Sequence, residues 1–426
     1  MGTIGQQPSL DTAPQSPPFG PTPQLMLIGT SYKSSPIGFR EVLARKVGED
    51  HIGESMSAME SALLSTCNRF EVYLTSRSPD LSYASFLRRA HELTGFEGME
   101  SSFYQLRGPE AVRHLFSVAA GLESVVVGEP QILSQVRKSG VDSRRNGNAG
   151  AILSPMFDRA YRVGARLRAA YGLESEEASL SDLAIDAIGE LSPGKHDVML
   201  VGTGKMVRLA ARRLKGSARR LYVVSRRKAR PAGLEWCTLV RTADMGRVAA
   251  KCDVLISATT TGRPLITPAE LRGRKKRIVV DLGMPRNVSE SVRNLQNVKL
   301  IDLDDLARLA RPGRYPSKLK GAESAAAREA SEFYDWLVQT RLTTTLADLY
   351  AWAESIRIEE LRRATSKLNP KTEREKRIVE AMSRRIISKV LARPAQFARR
   401  KQGGLSEEDK LELLGSVFGT GASGEK

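Results

Sequence analysis

The sequence predicts a multidomain α/β chain with a small α+β domain, a second domain of alternating strands and helices, and a long helical region. Three observations predict this class. Short apolar strands mix with helical patterns over 25–93, strands alternate with helices over 197–303, and only long helical patterns follow Pro316. With 426 residues, 41% of them hydrophobic, the chain has room for several domains with apolar cores. The predicted parts are a disordered extension (1–24), an α+β domain (25–172), a strand–helix domain (173–315), a helical domain (316–402) and a C-terminal tail (403–426).

The composition limits the partner and the compartment. Lysine and arginine number 66 against 48 aspartates and glutamates, and a net charge of +18 favours a polyanionic partner, either nucleic acid or an anionic membrane surface. A generally basic composition is the alternative reason. No apolar run reaches the ~18 residues that span a bilayer, and the proline-rich first 24 residues lack the regions of a signal peptide. Three cysteines without paired spacing and four scattered histidines argue against disulfides and a metal site, and indicate a reducing, cytoplasmic compartment.

The stretch Ser65–Glu71 is the first candidate for chemistry. It lies between the apolar runs 62–64 and 72–74, and it places the thiol of Cys67 close in sequence to the cation of Arg69. We expect a turn or strand end here, where a neighbouring guanidinium favours the reactive thiolate. A lone intracellular cysteine is more often a buried structural residue, as we expect for Cys237 and Cys252. The assignment of Cys67 therefore depends on the other candidates.

The helical region after Pro109 supplies further polar candidates. His114 lies off the centre of an apolar helical face over 109–122. Such a histidine is usually a surface or boundary residue and gains meaning only beside other reactive groups. Ser124, Glu129 and Gln131 follow within a valine-rich segment. Because buried polar side chains need partners, these residues either cross-link helices or face a polar substrate.

The second domain opens on a nucleotide-binding pattern. An apolar strand over 198–201 runs into Gly202-Thr203-Gly204-Lys205-Met206 and then a helix. Glycines at this point let the backbone approach a pyrophosphate, which the helix N-terminus then stabilises. The third glycine of the fingerprint is replaced by Val207, so we expect a less close approach of helix and strand. The pattern predicts a Rossmann-like domain.

The end of the next strand indicates which nucleotide is bound. Ser225, Arg226 and Lys228 follow the strand over 221–224, at the place where an NAD site carries a carboxylate for the ribose hydroxyl. A hydroxyl and cations suit a 2′-phosphate instead, which predicts NADP(H). A solvated charge run is the alternative interpretation.

Long helices with narrow apolar seams make up the C-terminal region. Asn369-Pro370 predicts the start of the last long helix, which carries apolar residues from Ile378 to Val390 at helical spacing. Seams of this kind are usually buried against a partner, so we predict a dimerisation region. A short amphipathic helix is expected over 406–418.

These motifs together closely resemble one family, the glutamyl-tRNA reductases, NADPH enzymes that open the route from glutamate to tetrapyrroles. The resemblance covers roughly residues 25 to 400. Its motifs, in chain order, are Gly29–Pro36 with Arg40-Glu41, Ser65–Arg69 with Glu71, His114, Gly121–Ser124 with Gly128–Ile132, Gly202-x-Gly204-x-Met206, and Asp281 with Pro285-Arg286.

The resemblance implies a specific reaction, the first step of porphyrin and haem synthesis from glutamate. Cys67 would attack the ester that joins glutamate to the tRNA 3′ end, release the tRNA and form a glutamyl thioester. NADPH would then reduce the thioester to glutamate-1-semialdehyde. A homodimer through the C-terminal helices and a transient complex with glutamate-1-semialdehyde aminomutase are implied as well.

The resemblance also implies residue roles. His114 would assist Cys67 or orient the ester, and both roles stay open. Arg69 would bind the glutamate carboxylate bidentately with help from Ser124. The further substrate-binding residues implied are Thr66, Asn68, Glu129, Gln131 and Ser34, and the implied cofactor residues are Gly202, Thr203, Gly204, Lys205, Met206, Ser225, Arg226 and Lys228. Departures from the family pattern are Tyr32 for histidine, Ser225 for asparagine and Asn287 for aspartate.

Two other functions compete with this interpretation. A shikimate-dehydrogenase-like NADP oxidoreductase acting on a small hydroxy acid would share the second domain, but it would need neither Cys67 nor the long C-terminal helices. A catalytically inactive tRNA-binding protein of the same fold would not need an intact Cys67, Arg69 and His114.

Overall fold

The computed structural model describes seven ranges of the chain. They are 22–48, 56–173, 180–226, 233–310, 316–368, 372–399 and 405–418. The predicted extension up to Pro21, Lys228 and the Asn369-Pro370 pair lie outside the described residues. The folded chain forms two compact units, Leu25–Ser331 and the region from Glu332 onwards.

The N-terminal part of the first unit is a four-stranded sheet with helices on both faces. Its strands are β1 (Gln24–Ser31), β2 (Glu60–Ser65), β3 (Arg69–Ser76) and β4 (Tyr104–Arg107), in the order β2-β3-β1-β4. Its helices are α1 (Ile37–Lys46), α2 (Pro79–Thr94), α3 (Gly108–Ala120), α4 (Pro130–Arg145) and α5 (Leu153–Ala170). This arrangement confirms the predicted α+β domain.

Successive side chains of β3 point to opposite faces of the sheet, and the two faces differ in environment. Phe70, Val72 and Leu74 share a core with α1 and α2. The intervening side chains point to the opposite face, where Tyr73 contacts Phe157 of α5 and Glu71 binds His114 of α3. The charged side chains of β3, Arg69 and Glu71, are therefore buried on the α3–α5 side, whereas Ser76 accepts a hydrogen bond from Ser82 of α2 on the opposite face.

Two glycines let the helices on that side pack closely. A Cβ on Gly140 of α4 would lie 2.6 Å from Cβ of Phe157 on α5. A Cβ on Gly164 of α5 would lie 2.7 Å from the carbonyl carbon of Ala119 on α3. Both distances are shorter than van der Waals contact. The two helix pairs therefore pack so closely that only glycine fits at positions 140 and 164 without a shift of the neighbouring atoms.

The second domain is a six-stranded sheet, and every pairing along it is parallel. Its strands are β5 (Asp197–Val201), β6 (Arg220–Ser225), β7 (Thr238–Arg241), β8 (Val254–Ser257), β9 (Arg277–Asp281) and β10 (Val298–Ile301), in the order β10-β9-β8-β5-β6-β7. Its helices are α6 (Leu180–Leu191), α7 (Lys205–Leu214), α8 (Met245–Ala249) and α9 (Leu303–Leu309). The short strand β7 is absent from the sequence prediction, because four residues carry too little pattern.

The strand order confirms the Rossmann-like prediction. Counted from β5, the sheet has the order 3-2-1-4-5-6, in which ligands bind where β5 and its neighbour β8 diverge. Val207 is 1% exposed and shares an apolar core with Val198 and Leu200 of β5. The helix therefore packs on the strand through the valine side chain, and the expectation of a less close approach than glycine allows stays a prediction.

Polar contacts fasten α1 of the first domain to the second domain. The buried Arg40 donates from Nη2 to Oδ1 of Asp304 at 2.7 Å, and the Ile37 N–H donates to its Oδ2 at 2.6 Å. Glu41 accepts from the N–H and Nε of Arg286 at 2.7 and 2.9 Å. These contacts join α1 to α9 and to the loop that follows β9.

The C-terminal unit is helical, as predicted. Its helices are the last part of α10 (Pro316–Leu368), α11 (Glu373–Arg399) and α12 (Glu407–Phe418). Leu342, Ala398 and Leu411 form a small core. The apolar stripe from Ile378 to Val390 on α11 is more than half exposed at each of its four large residues. Among the helices described, none is long and apolar enough to cross a membrane.

We expect Gly164→Ala to destabilise the chain by about 1–3 kcal/mol, because the added methyl group meets rigid backbone of α3. Urea unfolding followed by far-UV circular dichroism measures the effect. Gly189→Ala is the matched control, since nothing lies within 4 Å of its Cβ position, and it should be neutral or stabilising by up to about 1 kcal/mol. Equal effects of the two variants would contradict the packing argument.

Candidate active site

Cys67 lies in the two-residue turn that joins β2 to β3. The Thr66 N–H donates to the Arg69 carbonyl at 2.9 Å, and Thr66 Oγ1 accepts from the N–H groups of Asn68 and Arg69, both at 3.2 Å. The residues before and after this closure, Ser65 and Phe70, are strand partners. Thr66 thus holds the turn that presents Cys67, which is a structural role for a residue predicted to bind substrate.

The buried carboxylate of Glu71 organises the floor of the site. Its Oε1 accepts from Arg69 Nη1 at 2.7 Å, from the Tyr104 hydroxyl at 2.7 Å and from His114 Nε2 at 2.8 Å, and its Oε2 accepts from the Tyr73 hydroxyl at 2.7 Å. Burial by itself would raise the pKa of Glu71, but Arg69 and His114 hold that pKa well below its usual range. An ionised carboxylate only accepts, so Nε2 of His114 carries a proton.

Arg69 is fixed on both sides by the protein. It is 2% exposed, and besides Glu71 it donates from Nη2 to the Glu123 carbonyl at 2.5 Å. Its buried Nε has no hydrogen-bond partner among the described residues. The carboxylate clamp inferred for Arg69 from the family stays a prediction, whereas its role in joining β3 to the 121–129 loop is visible.

The electrostatics of Cys67 differ from the sequence expectation. Burial, followed by the carboxyl of Glu129, raises the pKa of the thiol to about 12, and this outweighs the opposite effects of Arg40 and Arg69. The guanidinium of Arg69 acts in the expected direction, since it lowers the pKa of the thiol, but burial has the larger and opposite effect. Burial in this arrangement therefore favours the protonated form of the thiol.

The loop between α3 and α4 (121–129) carries Glu129, whose carboxyl raises the pKa of the thiol. Ser124 and Glu129 are both 7% exposed. Burial raises the pKa of Glu129, against the cations of Arg69, Arg168 and Lys205. The buried Asn68 Oδ1 has no partner within the described residues.

Gln131 connects this loop to the second domain. Its Nε2 donates to Sδ of Met206 at 3.3 Å, and Ser181 donates to the Met206 carbonyl at 3.0 Å. Cys67 itself packs against an apolar cluster formed largely by the second domain. The predicted thiol and the predicted nucleotide loop therefore face the same space.

Ser34 lies farther from this centre. It is exposed in the turn after β1, where its hydroxyl donates to the Ser31 carbonyl at 3.3 Å and accepts from the Ser31 N–H at 3.0 Å. The turn reaches the site through Tyr32, whose N–H donates to the Asn68 carbonyl at 2.9 Å. Because the backbone makes this bond, the change from histidine to Tyr32 leaves it intact.

The glycine loop fits the pyrophosphate of a dinucleotide. Gly202 has φ +120°, and a Cβ there would lie 2.6 Å from the Ala258 carbonyl oxygen. Gly204 is the N-cap residue of α7, and a Cβ at this position would meet nothing within 4 Å. Thr203 and Lys205 complete the loop, which leaves the first N–H groups of α7 open to an anion. At the end of β6, Ser225 is buried and Arg226 is exposed.

Asn287 braces the strand ends beside this loop. Its Oδ1 accepts from Ser257 at 3.1 Å and from the Thr259 N–H at 2.6 Å, and its Nδ2 donates to the Thr259 carbonyl at 3.1 Å. The Asp281 carboxylate accepts the Asn287 N–H at 2.8 Å, while burial raises the pKa of Asp281 to about 7. An aspartate at position 287 could not donate to Thr259, so the departure from the family pattern is matched to its contacts.

Comparisons with known proteins agree with this geometry. Residues 28–171 match the sequence model for the N-terminal domain of glutamyl-tRNAGlu reductase, and 321–420 match the model for its dimerisation domain. Residues 182–309 match the shikimate/quinate 5-dehydrogenase model. A glutamyl-tRNA reductase of Syntrophotalea carbinolica is 31% identical over 418 residues, which cover 92% of this chain and 94% of that protein. The chain belongs to the glutamyl-tRNA reductase family.

Other members of the glutamyl-tRNA reductase family support the assignment. The protein of Syntrophobacter fumaroxidans is 29% identical and the match covers 92% of this chain. The solved glutamyl-tRNA reductase of Methanopyrus kandleri is 26% identical, with a TM-score of 0.51 over 92% of this chain and 98% of that one. Membership confirms the predicted oxidoreductase class and the three-part fold. The shikimate-type match is confined to the middle domain, so the competing dehydrogenase interpretation explains only that part.

Sequence reasoning gave no role to several residues that shape the site. Glu71 was noted only as part of a motif, and neither Tyr73 nor Tyr104 was considered. Arg69, Glu71 and Tyr73 alternate along one face of β3, and this alternation is the signal that could have identified Glu71 and Tyr73. Arg40 was part of a quoted motif without a role, and Tyr104 lies on another strand, where nothing in its local sequence marks it.

We expect Glu71→Gln to lower the free energy of unfolding at pH 7 by about 3–5 kcal/mol, because it leaves the buried Arg69 without its counter-charge. The folded-state pKa of Glu71 is depressed, so its contribution is present above the unfolded pKa of about 4.3 and is lost as the pH falls below it. Urea unfolding should show a constant gap between parent and variant from about pH 8 to 5, narrowing below.

The control for this prediction is Glu92→Gln. Glu92 forms an exposed ion pair with Arg89, and its replacement should cost less than about 1 kcal/mol. A Glu71→Gln protein as stable as the Glu92→Gln protein would refute the role given to the buried carboxylate.

Proposed function

We propose that this chain reduces glutamyl-tRNA(Glu) to glutamate-1-semialdehyde with NADPH through a thioester on Cys67. The observation that carries the proposal is the packing of the Cys67 turn against the nucleotide-binding domain, with Gln131 bound to Met206 of the glycine loop. A thiol placed at the mouth of a dinucleotide site can hold an acyl group where a hydride donor reaches it.

Cys67 acts first as nucleophile. Its sulfur forms a bond to the ester carbonyl of the glutamyl group, the bond to the tRNA 3′ oxygen breaks, and that oxygen leaves with a proton. A reduced pyridine nucleotide at the glycine loop supplies the hydride for the carbonyl of the thioester. Loss of the Cys67 sulfur then releases the aldehyde and returns the thiol.

The proton of Cys67 needs an acceptor, because burial raises the thiol pKa. Glu129 is a buried carboxyl beside the thiol whose own pKa is raised by burial, which suits it to take up a proton. Glu71 binds Nε2 of His114 at 2.8 Å and so fixes the ring with its basic Nδ1 on the other side. This contact favours the orienting role of His114.

Substrate recognition would use groups that the protein leaves unpaired. The buried Oδ1 of Asn68 is an acceptor suited to the glutamyl ammonium group, and the buried Nε of Arg69 is a donor suited to a carboxylate oxygen. Ser124 lies next to the Glu123 carbonyl that Arg69 binds. Together these groups support binding of an amino acid with a second carboxylate.

The cofactor and partners follow from the same proposal. Arg226 at the end of β6 would bind the 2′-phosphate of NADPH, with Ser225 beside it and Lys228 close in sequence. The exposed apolar stripe on α11 and the match to a dimerisation domain support a homodimer. We also propose a cytoplasmic location, and transfer of the unstable aldehyde to glutamate-1-semialdehyde aminomutase.

We expect Cys67→Ser to lower semialdehyde formation from glutamyl-tRNA and NADPH by at least about a thousand-fold, because the thioester cannot form. Incubation with radiolabelled glutamyl-tRNA without NADPH should label the parent protein and not the variant. Cys252→Ser is the matched control, since Cys252 is buried in a different apolar cluster of the second domain from the one that Cys67 contacts, and it should keep both activities. A Cys67→Ser protein as active as the parent would refute the mechanism.

We expect Arg226→Gln to raise KM for NADPH while leaving that for NADH unchanged, because it removes a cation from the phosphate and leaves the rest of the nucleotide site intact. The ratio of kcat/KM for the two nucleotides should fall by about tenfold, in the range of one charge-assisted hydrogen bond. Arg212→Gln in the last turn of α7, which also removes one exposed cation, is the control. An unchanged ratio would remove Arg226 from the 2′-phosphate site.

A further inference from the structure

A basic face on α4 and α5 is separate from the thiol site. The two helices carry eight arginines and lysines against two aspartates, Asp142 and Asp158. Arg168 is buried and donates to the carbonyls of Gly128 and Glu129. The other cations are exposed or half-buried.

A groove of about 470 Å³ runs between the two helices on this face. Its lining residues are Arg137, Val141, Arg144, Phe157, Asp158, Tyr161 and Arg162. The guanidinium of Arg137 lies over the ring of Tyr161 at 5.1 Å, and Arg144 donates to Asp158 at 2.8 Å. Because the ring already restricts the guanidinium, a ligand that binds this cation costs little further side-chain conformational entropy.

The ion pairs on this face leave an excess of positive charge. Within the described residues, Arg137, Arg145 and Arg162 form no ion pair, whereas Arg159 and Arg166 share the single carboxylate of Glu329. A face meant only for solvation usually carries alternating charges that pair along the helix. The uncompensated guanidinium groups instead suit a row of phosphates.

The axis of α4 connects this face to the thiol. The helix begins directly after Glu129, the carboxyl that acts on Cys67. At a rise of ~1.5 Å per residue, Arg137 lies about 12 Å and Arg144 about 22 Å along the axis from that point. A polymer whose reactive end lies at Cys67 and which continues along α4 would place successive phosphates over the groove.

We propose that the α4–α5 basic face binds the sugar–phosphate backbone of the RNA part of the substrate. The inference rests on the proposed function, since it takes an RNA attached to the group at Cys67 as the ligand. Backbone contacts of this kind are independent of base sequence and depend strongly on salt. The face therefore contributes affinity and orientation, and the glutamyl group is selected at the thiol site.

The test compares two triple variants with equal loss of charge. Arg137→Gln/Arg144→Gln/Arg162→Gln removes three cations from the face, and Arg45→Gln/Arg77→Gln/Arg88→Gln removes three exposed cations from the part of the domain around α1 and α2. The probe is uncharged tRNA(Glu), titrated between about 50 and 200 mM salt without nucleotide. We expect the first variant to bind at least about tenfold more weakly and its salt slope to fall by two to three, and the second to bind like the parent.

Two further measurements separate the possible outcomes. Arg162→Gln alone removes an exposed residue without an ion pair, so it keeps the fold and should lower the salt slope by about one. A small ester, 3′-O-glutamyl-adenosine, should acylate Cys67 equally in the parent and the first triple variant, because it does not reach the groove. Unchanged tRNA binding by the first triple variant, or an equal loss in both triple variants, would overturn the inference. Because tRNA binding is read without turnover, a failure of the reductase proposal would be seen separately in the NADPH assay.

Discussion

The ionised carboxylate of Glu71 is the interaction on which the site depends. It is fully buried, and it joins two strands and a helix by accepting from Arg69, Tyr73, Tyr104 and His114. A buried charge is tolerated only when it is paired and hydrogen-bonded, and here the four partners supply that pairing. The same carboxylate thus fixes Arg69 beneath the Cys67 turn and sets the tautomer of His114.

Contact between domains gives the thiol its unusual environment. The Cys67 turn is covered by the second domain, and the ion pairs of Arg40 with Asp304 and Arg286 with Glu41 hold α1 in place. Removal of water raises the pKa of the thiol, and in the proposed mechanism it would also protect a thioester from hydrolysis. The contact that makes Cys67 a weak acid would therefore suit the proposed reduction step, in which Glu129 takes the proton of the thiol.

Much of the fold is encoded locally and could be predicted from the sequence. The strands of the second domain are continuous apolar runs, the glycine loop follows the first of them directly, and Ser225 with Arg226 marks the end of the second. The turn around Cys67 is flanked by two apolar strands, which gave its place between β2 and β3. The four-residue strand β7 and the boundaries of helices are weaker signals, because few residues contribute to each pattern.

The sequence by itself determined the class of each domain and the position of the glycine loop after its strand, and it predicted Cys67 as the reactive cysteine, since these depend on neighbours along the chain. Only the tertiary structure decided how the candidates act on one another. It joins Glu71 to His114, separated by 43 residues, and Gln131 to Met206, separated by 75. It also shows that burial outweighs the nearby guanidinium at Cys67. Hydrogen-bond partners and desolvation depend on which elements pack together, and residue spacing carries no record of that.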